Sequence, residues 1–227
     1  MLGDRRSHNT YYSREVVMWG PKDSTVVPHV VLFGAVFNER KPIVKRSAIN
    51  RVIVEAREFF AENRFSLPPY ADWTPEEWRK QGREADELRA TRLGWDVTDF
   101  NSGRFDSVGL TLFTLRNGSF AVGRCSKGYA AKIMFVRQDQ VAPYHYHARK
   151  TEDIINRGGK GRGRLVVRLY LYNSDGNGGF AQNPVSVLCD GIRREVEPGG
   201  AVILGPGESI TLTPYLYHTF LRLRATV

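Results

Sequence analysis

Between residues 143 and 159 the chain reads PYHYHARKTEDIINRGG: two of its five histidines, His145 and His147, stand two positions apart, followed by a carboxylate, Glu152, and the glycines Gly158 and Gly159. Along an extended strand residues i and i+2 project from one face, so these imidazoles can converge on one point while Tyr146 turns away. Enough chain separates His147 from Glu152 for a turn that brings the carboxylate round to the same point. A further ligand is available in GPGESITLTPYLYHTF, where His218 comes after a Gly-Pro-Gly turn, a β-rich run and Pro214. Taken singly, an HxH pair is ordinary surface or core chemistry and Glu152 a solvated face. Taken together, His145, His147, Glu152 and His218 form a nitrogen and oxygen donor set suited to a divalent first-row metal.

These residues need a β scaffold, and the sequence supplies one. Beyond Gly94 the pattern is that of many short strands. VGLTLFTLRNGSFAVG reads as two β-rich runs joined by Asn117-Gly118, a dipeptide that tolerates the positive φ of a type I′ turn. KIMFVR, RLVVRLYLY, PVSVLCD, IRREVE, AVILG and ESITLTP follow, with a second hairpin turn at Asp190-Gly191. The HxH segment falls at the end of one strand and the start of the next. Short antiparallel strands at this spacing predict a sandwich or barrel, jelly-roll cupins among the options.

Two helices are expected ahead of the strands. In KRSAINRVIVEAREFFAEN, Ile49, Val52, Ile53, Ala56, Phe59 and Phe60 recur at helical spacing behind Ser47, a favourable N-cap. In DWTPEEWRKQGREADELRATRLGW, Thr74 is placed to cap, Pro75 to take the first helical position and Glu77 to complete a capping box, with Gly94 as the stop. The first forty or so residues show no sustained period, although HVVLFGAVF could form a strand.

Composition narrows the function classes. With 227 residues, 41% hydrophobic and 25% charged, the chain can bury a full core, which argues against disorder. Its net charge of +9 raises the question of nucleic acid, but apart from KGRGR at 160–164 the basic residues are interleaved with acidic ones, so no nucleic-acid partner is expected. The longest apolar run, VVPHVVLFGAVF, is too short for a bilayer and carries Pro28 and His29, so no membrane partner is expected either. Cys125 and Cys189 stand apart with no CxxC pairing, which suits a reducing cytoplasm.

HxHxxxxE followed by glycine, then PGxSxxLxP and a histidine, resembles the paired motifs of the cupin superfamily. Three departures affect turns more than ligands: Asp139 and Leu216 stand where glycines are usual, and His218 lies one residue nearer its proline. KRSAIN, LPPYADWTPEEW, GWDVTDFNSGRF, GLTLFTLRNG, HARKTEDIINRGG and PGESITLTPYLYH, in this order from about Val44 to about Phe220, look like the D-lyxose ketol-isomerase family. That resemblance implies a mainly β cupin barrel preceded by two α-helices, manganese as cofactor, and a sugar substrate. It implies His145, His147, Glu152 and His218 as metal ligands, Lys132 and Lys150 as catalytic lysines near the sugar, and a homodimer as one possible assembly.

Such a donor set suits an aldose–ketose isomerisation. A divalent ion held by three neutral imidazoles and one carboxylate keeps net positive charge and open positions for two sugar oxygens, polarises the carbonyl, and stabilises the enediolate formed when the neighbouring C–H loses its proton. Lys150 shares strand parity with Glu152 and could donate to a substrate oxygen or act as base. The expected reaction is D-lyxose to D-xylulose, with D-mannose to D-fructose as a related one. A catalytically impaired metal- or sugar-binding cupin, or an iron-dependent cupin dioxygenase, would use the same ligands.

The organisation expected is a cupin domain over 44–227, with helices about 47–93 and the β-barrel about 96–227, behind an extension over 1–43. Val44 stands where the family's initiator would, which suggests an upstream start. Past Phe220 the family's further acidic strand, of the type GEVS, has no counterpart, so the last strands are expected to be incomplete and turnover weaker than metal binding.

Overall fold

The computed structural model describes residues 11–19, 45–118, 127–158, 163–173 and 179–223. The HVVLFGAVF run and the second arm of the hairpin expected after Asn117-Gly118 lie outside these residues.

Helix α1, Arg46–Glu62, buries Val52, Ala56, Phe59 and Phe60 along one stripe, as the spacing required. It starts two residues earlier than expected: Lys45 is the cap residue, and its carbonyl accepts from the amides of Ala48 and Ile49. Ser47 therefore sits inside the first turn and does not cap. The buried stripe rests on aromatic rings of the sheet beneath, with Phe59 5.3 Å from Phe135 and Phe60 stacked 6.1 Å from Trp95.

The single helix expected after Thr74 is broken. Its start is as read, for Thr74 N–H donates to Glu77 Oε2 (2.7 Å) while Glu77 N–H donates to Thr74 Oγ1 (3.2 Å) at the head of α2, Pro75–Lys80. The chain then leaves helical geometry at Gln81 and Gly82 before a 3₁₀ turn, Arg83–Ala85, and α3, Asp86–Ala90. Arg89 compensates the break, its guanidinium donating to the carbonyls of Trp78, Gln81 and Gly82. Gly94, at φ +114°, opens a strand instead of stopping a helix.

The strands form two sheets. The larger runs in the order β2 (Gly94–Thr98), β3 (Leu110–Arg116), β4 (Tyr129–Val136), β1 (Tyr11–Trp19), β6 (Lys150–Asn156), β11 (Ser209–Leu212), β8 (Val185–Cys189) and β9 (Ile192–Val196). The smaller runs β10 (Ala201–Leu204), β7 (Arg164–Leu171), β12 (Leu216–Leu223) and β5 (Val141–His145). Neighbours are antiparallel except β1, which runs parallel to both β4 and β6. The sequence had offered no strand at β1 or β2. Buried side chains from both sheets, among them Ile154, Val187 and Leu212 on one and Leu169, Val202 and Phe220 on the other, join one continuous core. This is the mainly β, cupin-like sandwich that the strand pattern called for.

The two expected hairpin turns differ. Asp190 and Gly191 take φ of 50° and 80° and pair Cys189 with Ile192, as a two-residue turn requires. The second arm expected after Asn117-Gly118 lies outside the described residues; among those described, β3 pairs with β4, with Arg116 opposite Ala131, and Asn117 donates through its side chain to the Thr91 carbonyl (2.9 Å).

Phe135 carries the contact between α1 and the sheet and is 1% exposed. Phe135→Ala is expected to cost about 3–5 kcal/mol, read as a lowered midpoint in urea unfolding.

Candidate metal centre

The four candidate ligands come from both sheets. His145 ends β5 and pairs in register with His218 on β12, while Glu152 lies on β6 opposite Leu212 of β11. His147 lies just past the end of β5, where the Tyr215 N–H holds its carbonyl at 2.9 Å. The sequence reading put this segment at the end of one strand and the start of the next, with strand parity turning both rings to one face. The strand ends between them, yet their rings still converge, 5.1 Å apart, with His145 4.1 Å and His147 5.6 Å from the His218 ring. One ligand atom from each of His145, His147, Glu152 and His218 lies within 4.8 Å of all the others.

The donors are aimed as a cation would require. His145 Nδ1 lies 2.9 Å from the Pro143 carbonyl and His218 Nδ1 3.0 Å from the Leu216 carbonyl. With those nitrogens carrying the proton, each Nε2 presents its lone pair to the interior. The Nε2 atoms of His147 and His218 are buried with no hydrogen-bond partner, and each stands 3.3 Å from Glu152 Oε2. Buried nitrogens left unsatisfied beside a sealed carboxylate fit a divalent cation, which would take their lone pairs.

Burial keeps the His145 and His147 imidazoles in their ligand form. Burial, reinforced by His218, pushes the His145 pKa down from 6.5 to about 3. Burial also lowers His147, against the opposing pull of Glu152. Access is uneven: the His147 side chain is 29% exposed, whereas His218 and Glu152 are at 1% and 3%. The opening to the cluster is therefore on the His147 side.

The two lysines stand differently. Lys150 Nζ donates to Glu152 Oε1 at 2.8 Å, so it belongs to the cluster. Lys132, on β4, is two strands away. The register through Glu15 of β1 aligns it with Ile154, which puts it on the same inward face as Glu152 at about 10 Å across the sheet.

The motif departures keep the backbone geometry that glycine usually provides. Asp139 takes φ of 59°, a left-handed conformation aspartate tolerates. In the second motif Tyr215, not Leu216, carries the positive φ, at 62°. Gly158 donates its N–H to the Asn156 side chain at φ +75°, a conformation that strains any side chain, and a Cβ there would press on Pro206 at 3.1 Å. Gly159 lies outside the described residues. Sequence reasoning missed the carbonyls of Pro143 and Leu216 that orient the rings, because any residue type offers a carbonyl.

A family model described as D-lyxose isomerase matches residues 44–227. The chain belongs to the D-lyxose isomerase family. The match begins at the boundary read from the sequence and runs past Phe220, where the motif resemblance had ended. Over 178 residues, 78% of this chain and 76% of the relative, the chain is 47% identical to a D-lyxose/D-mannose isomerase of Escherichia coli O157:H7. The same figures hold for a D-lyxose/D-mannose isomerase of Serratia proteamaculans. Membership in this isomerase family fits a cluster that combines metal-ligand donors with an adjacent ammonium.

Two outcomes follow from the geometry. His145→Ala or His147→Ala should abolish binding of one divalent ion per chain by the purified protein, measured by elemental analysis after dialysis. In the metal-free protein, His145 is held neutral while an unfolded chain titrates it near 6.5, so the unfolded state binds the extra proton. Stability should be full above pH 6.5 and fall as pH drops from there toward about 3, with His145→Gln flattening part of that slope in urea titrations.

Proposed function

We propose that this chain is a metal-dependent aldose–ketose isomerase that interconverts D-lyxose and D-xylulose, and also D-mannose and D-fructose. The observation that carries the reading is the meeting of four ligand atoms from two sheets within 4.8 Å, in a chain of the D-lyxose isomerase family. Its relatives, D-lyxose/D-mannose isomerases, support the substrates.

His145, His147, Glu152 and His218 would hold the ion, with manganese as the metal proposed. When bound there, a divalent ion supplies Lewis acidity to the carbonyl and neighbouring hydroxyl of an open-chain sugar. The rest is the work of the chain. His145 and His218, tied through Nδ1 to the backbone, keep the ligand nitrogens from turning as the substrate enters. Glu152 supplies the one negative charge among the four ligands. The packed interior behind His218 excludes water on that side, so a proton moved between adjacent sugar carbons is not lost to solvent. Lys150 and Lys132 are the cationic side chains proposed for the sugar, donating to its oxygens as charge develops. An ammonium carries three N–H donors, so the bond to Glu152 does not exhaust Lys150.

Residues 44–227 are proposed as the isomerase domain, with residues 1–43 as an extension that contributes β1. A cytoplasmic setting and a homodimer complete the proposal. No helix among the described residues is long and apolar enough to cross a membrane.

The test is direct. Manganese-loaded protein incubated with D-lyxose should form D-xylulose, with kcat of about 1–10³ per second. Chelation should remove the activity and manganese restore it, while Glu152→Gln should lose both metal and turnover. Consumption of oxygen without ketose formation would contradict the reading.

A further inference from the structure

The two oxygens of Glu152 have different partners. Oε2 stands 3.3 Å from Nε2 of both His147 and His218, on the side where the ligand atoms converge. Oε1 accepts from Lys150 Nζ at 2.8 Å. The side chains of Glu152 and Lys150 are 3% and 17% exposed, so the bond lies where water competes weakly for either group. Lys150 and Glu152 flank Thr151 and share the inward face of β6, while Asp153, the next residue along and on the other face, accepts from the Thr211 hydroxyl on β11 (2.6 Å). No other carboxylate joins the donor group found among the described residues.

A carboxylate can ligate a cation through one oxygen or through both. The second mode would fill a coordination position that the chemistry proposed above needs for a substrate oxygen. We infer that Lys150 is a positioning residue: its ammonium holds Glu152 Oε1 and so keeps Glu152 a one-oxygen ligand, preserving room at the centre for two adjacent sugar oxygens. The inference rests on the metal-site reading and assigns Lys150 a task distinct from contact with the sugar. It makes the Lys150–Glu152 pair a single unit, in which the lysine acts on the reaction through the carboxylate.

Cobalt(II) is the probe, because its visible absorption weakens as its coordination number rises. Wild-type protein, Lys150→Met, Lys150→Ala and Lys150→Arg are each loaded with cobalt, and folding is checked by circular dichroism. The expected result is one cobalt per chain in all four, with weaker absorption in the Met and Ala variants and a wild-type-like spectrum in the Arg variant, whose guanidinium can still donate to Oε1. Adding D-lyxose should shift the spectrum of the wild type and the Arg variant more than that of the neutral variants. Isomerase kcat/KM should fall about 10- to 100-fold in the neutral variants and recover in part with arginine. Spectra and sugar-induced shifts in Lys150→Met and Lys150→Ala that superimpose on wild type, at equal cobalt content, would overturn the positioning role and leave the metal site standing. Failure of the wild-type protein to take up cobalt would overturn the metal site and this inference together.

Discussion

A single buried negative charge organises this molecule. Glu152 is 2% exposed, with Ile154 and Leu212 buried beside it, and a carboxylate there is costly unless something positive or hydrogen-bonding meets both its oxygens. Lys150 meets one oxygen and the His147 and His218 rings approach the other. The Nε2 atoms of both rings have no hydrogen-bond partner there, and a bound cation would satisfy the rings and the carboxylate together.

The ligands divide between the two sheets, so the docking of the sheets and the assembly of the centre are one event. Glu152 arrives on β6 with Ile154 and Asn156 alternating behind it on the inward face, and His145 and His218 arrive as a registered pair on the opposing sheet. Register matters more here than side-chain choice, because a slip of one residue on β6 would turn Glu152 outward and bring Asp153 in. Several buried contacts fix that register. Asn156, fully buried, donates through its amide to the carbonyls of Gly163 and Leu204 and accepts from Gly158 N–H, tying the far end of β6 to two loops. At the other sheet, the Thr219 hydroxyl bonds the Ala142 carbonyl beside the bulge that separates His218 from Phe220.

Much of this was legible in the sequence, for local reasons. The grouping of His145, His147, Glu152 and His218 was readable because side chains able to hold a metal are few. The capping box at Thr74 and the Asp190-Gly191 turn were readable because each rests on two or three adjacent residues. What failed had a non-local cause. The helical pattern was read through Gly82, a weak helix former, and the bonds from Arg89 to three carbonyls stabilise a break there that no short window contains. The long connection from β3 to β4, which pairs Arg116 with Ala131, likewise joins residues that no short window holds together. Strand β1 gave no period at all, and its place is set by the edges of β4 and β6 between which it lies.

The alternation that makes the centre also builds the wall behind it. In YHYH, and again in YLYH, every second residue turns away from the ligands, and the residues that turn away are tyrosines. Tyr146 packs 5.0 Å from Tyr172 and 4.8 Å from Tyr217, and Tyr144 packs 5.6 Å from Tyr170 and 5.0 Å from Phe180. Tyr170 and Phe180 in turn stack at 4.3 Å. These rings span β5, β7 and β12 on the face opposite the histidines. They matter most at His147, which has no strand ladder of its own: its carbonyl is held by the Tyr215 N–H, and its neighbour Tyr146 is locked among three rings. Aromatic packing on one face of the sheet thus does for His147 what backbone pairing does for His145, and it lets the most accessible ligand keep its place without being buried.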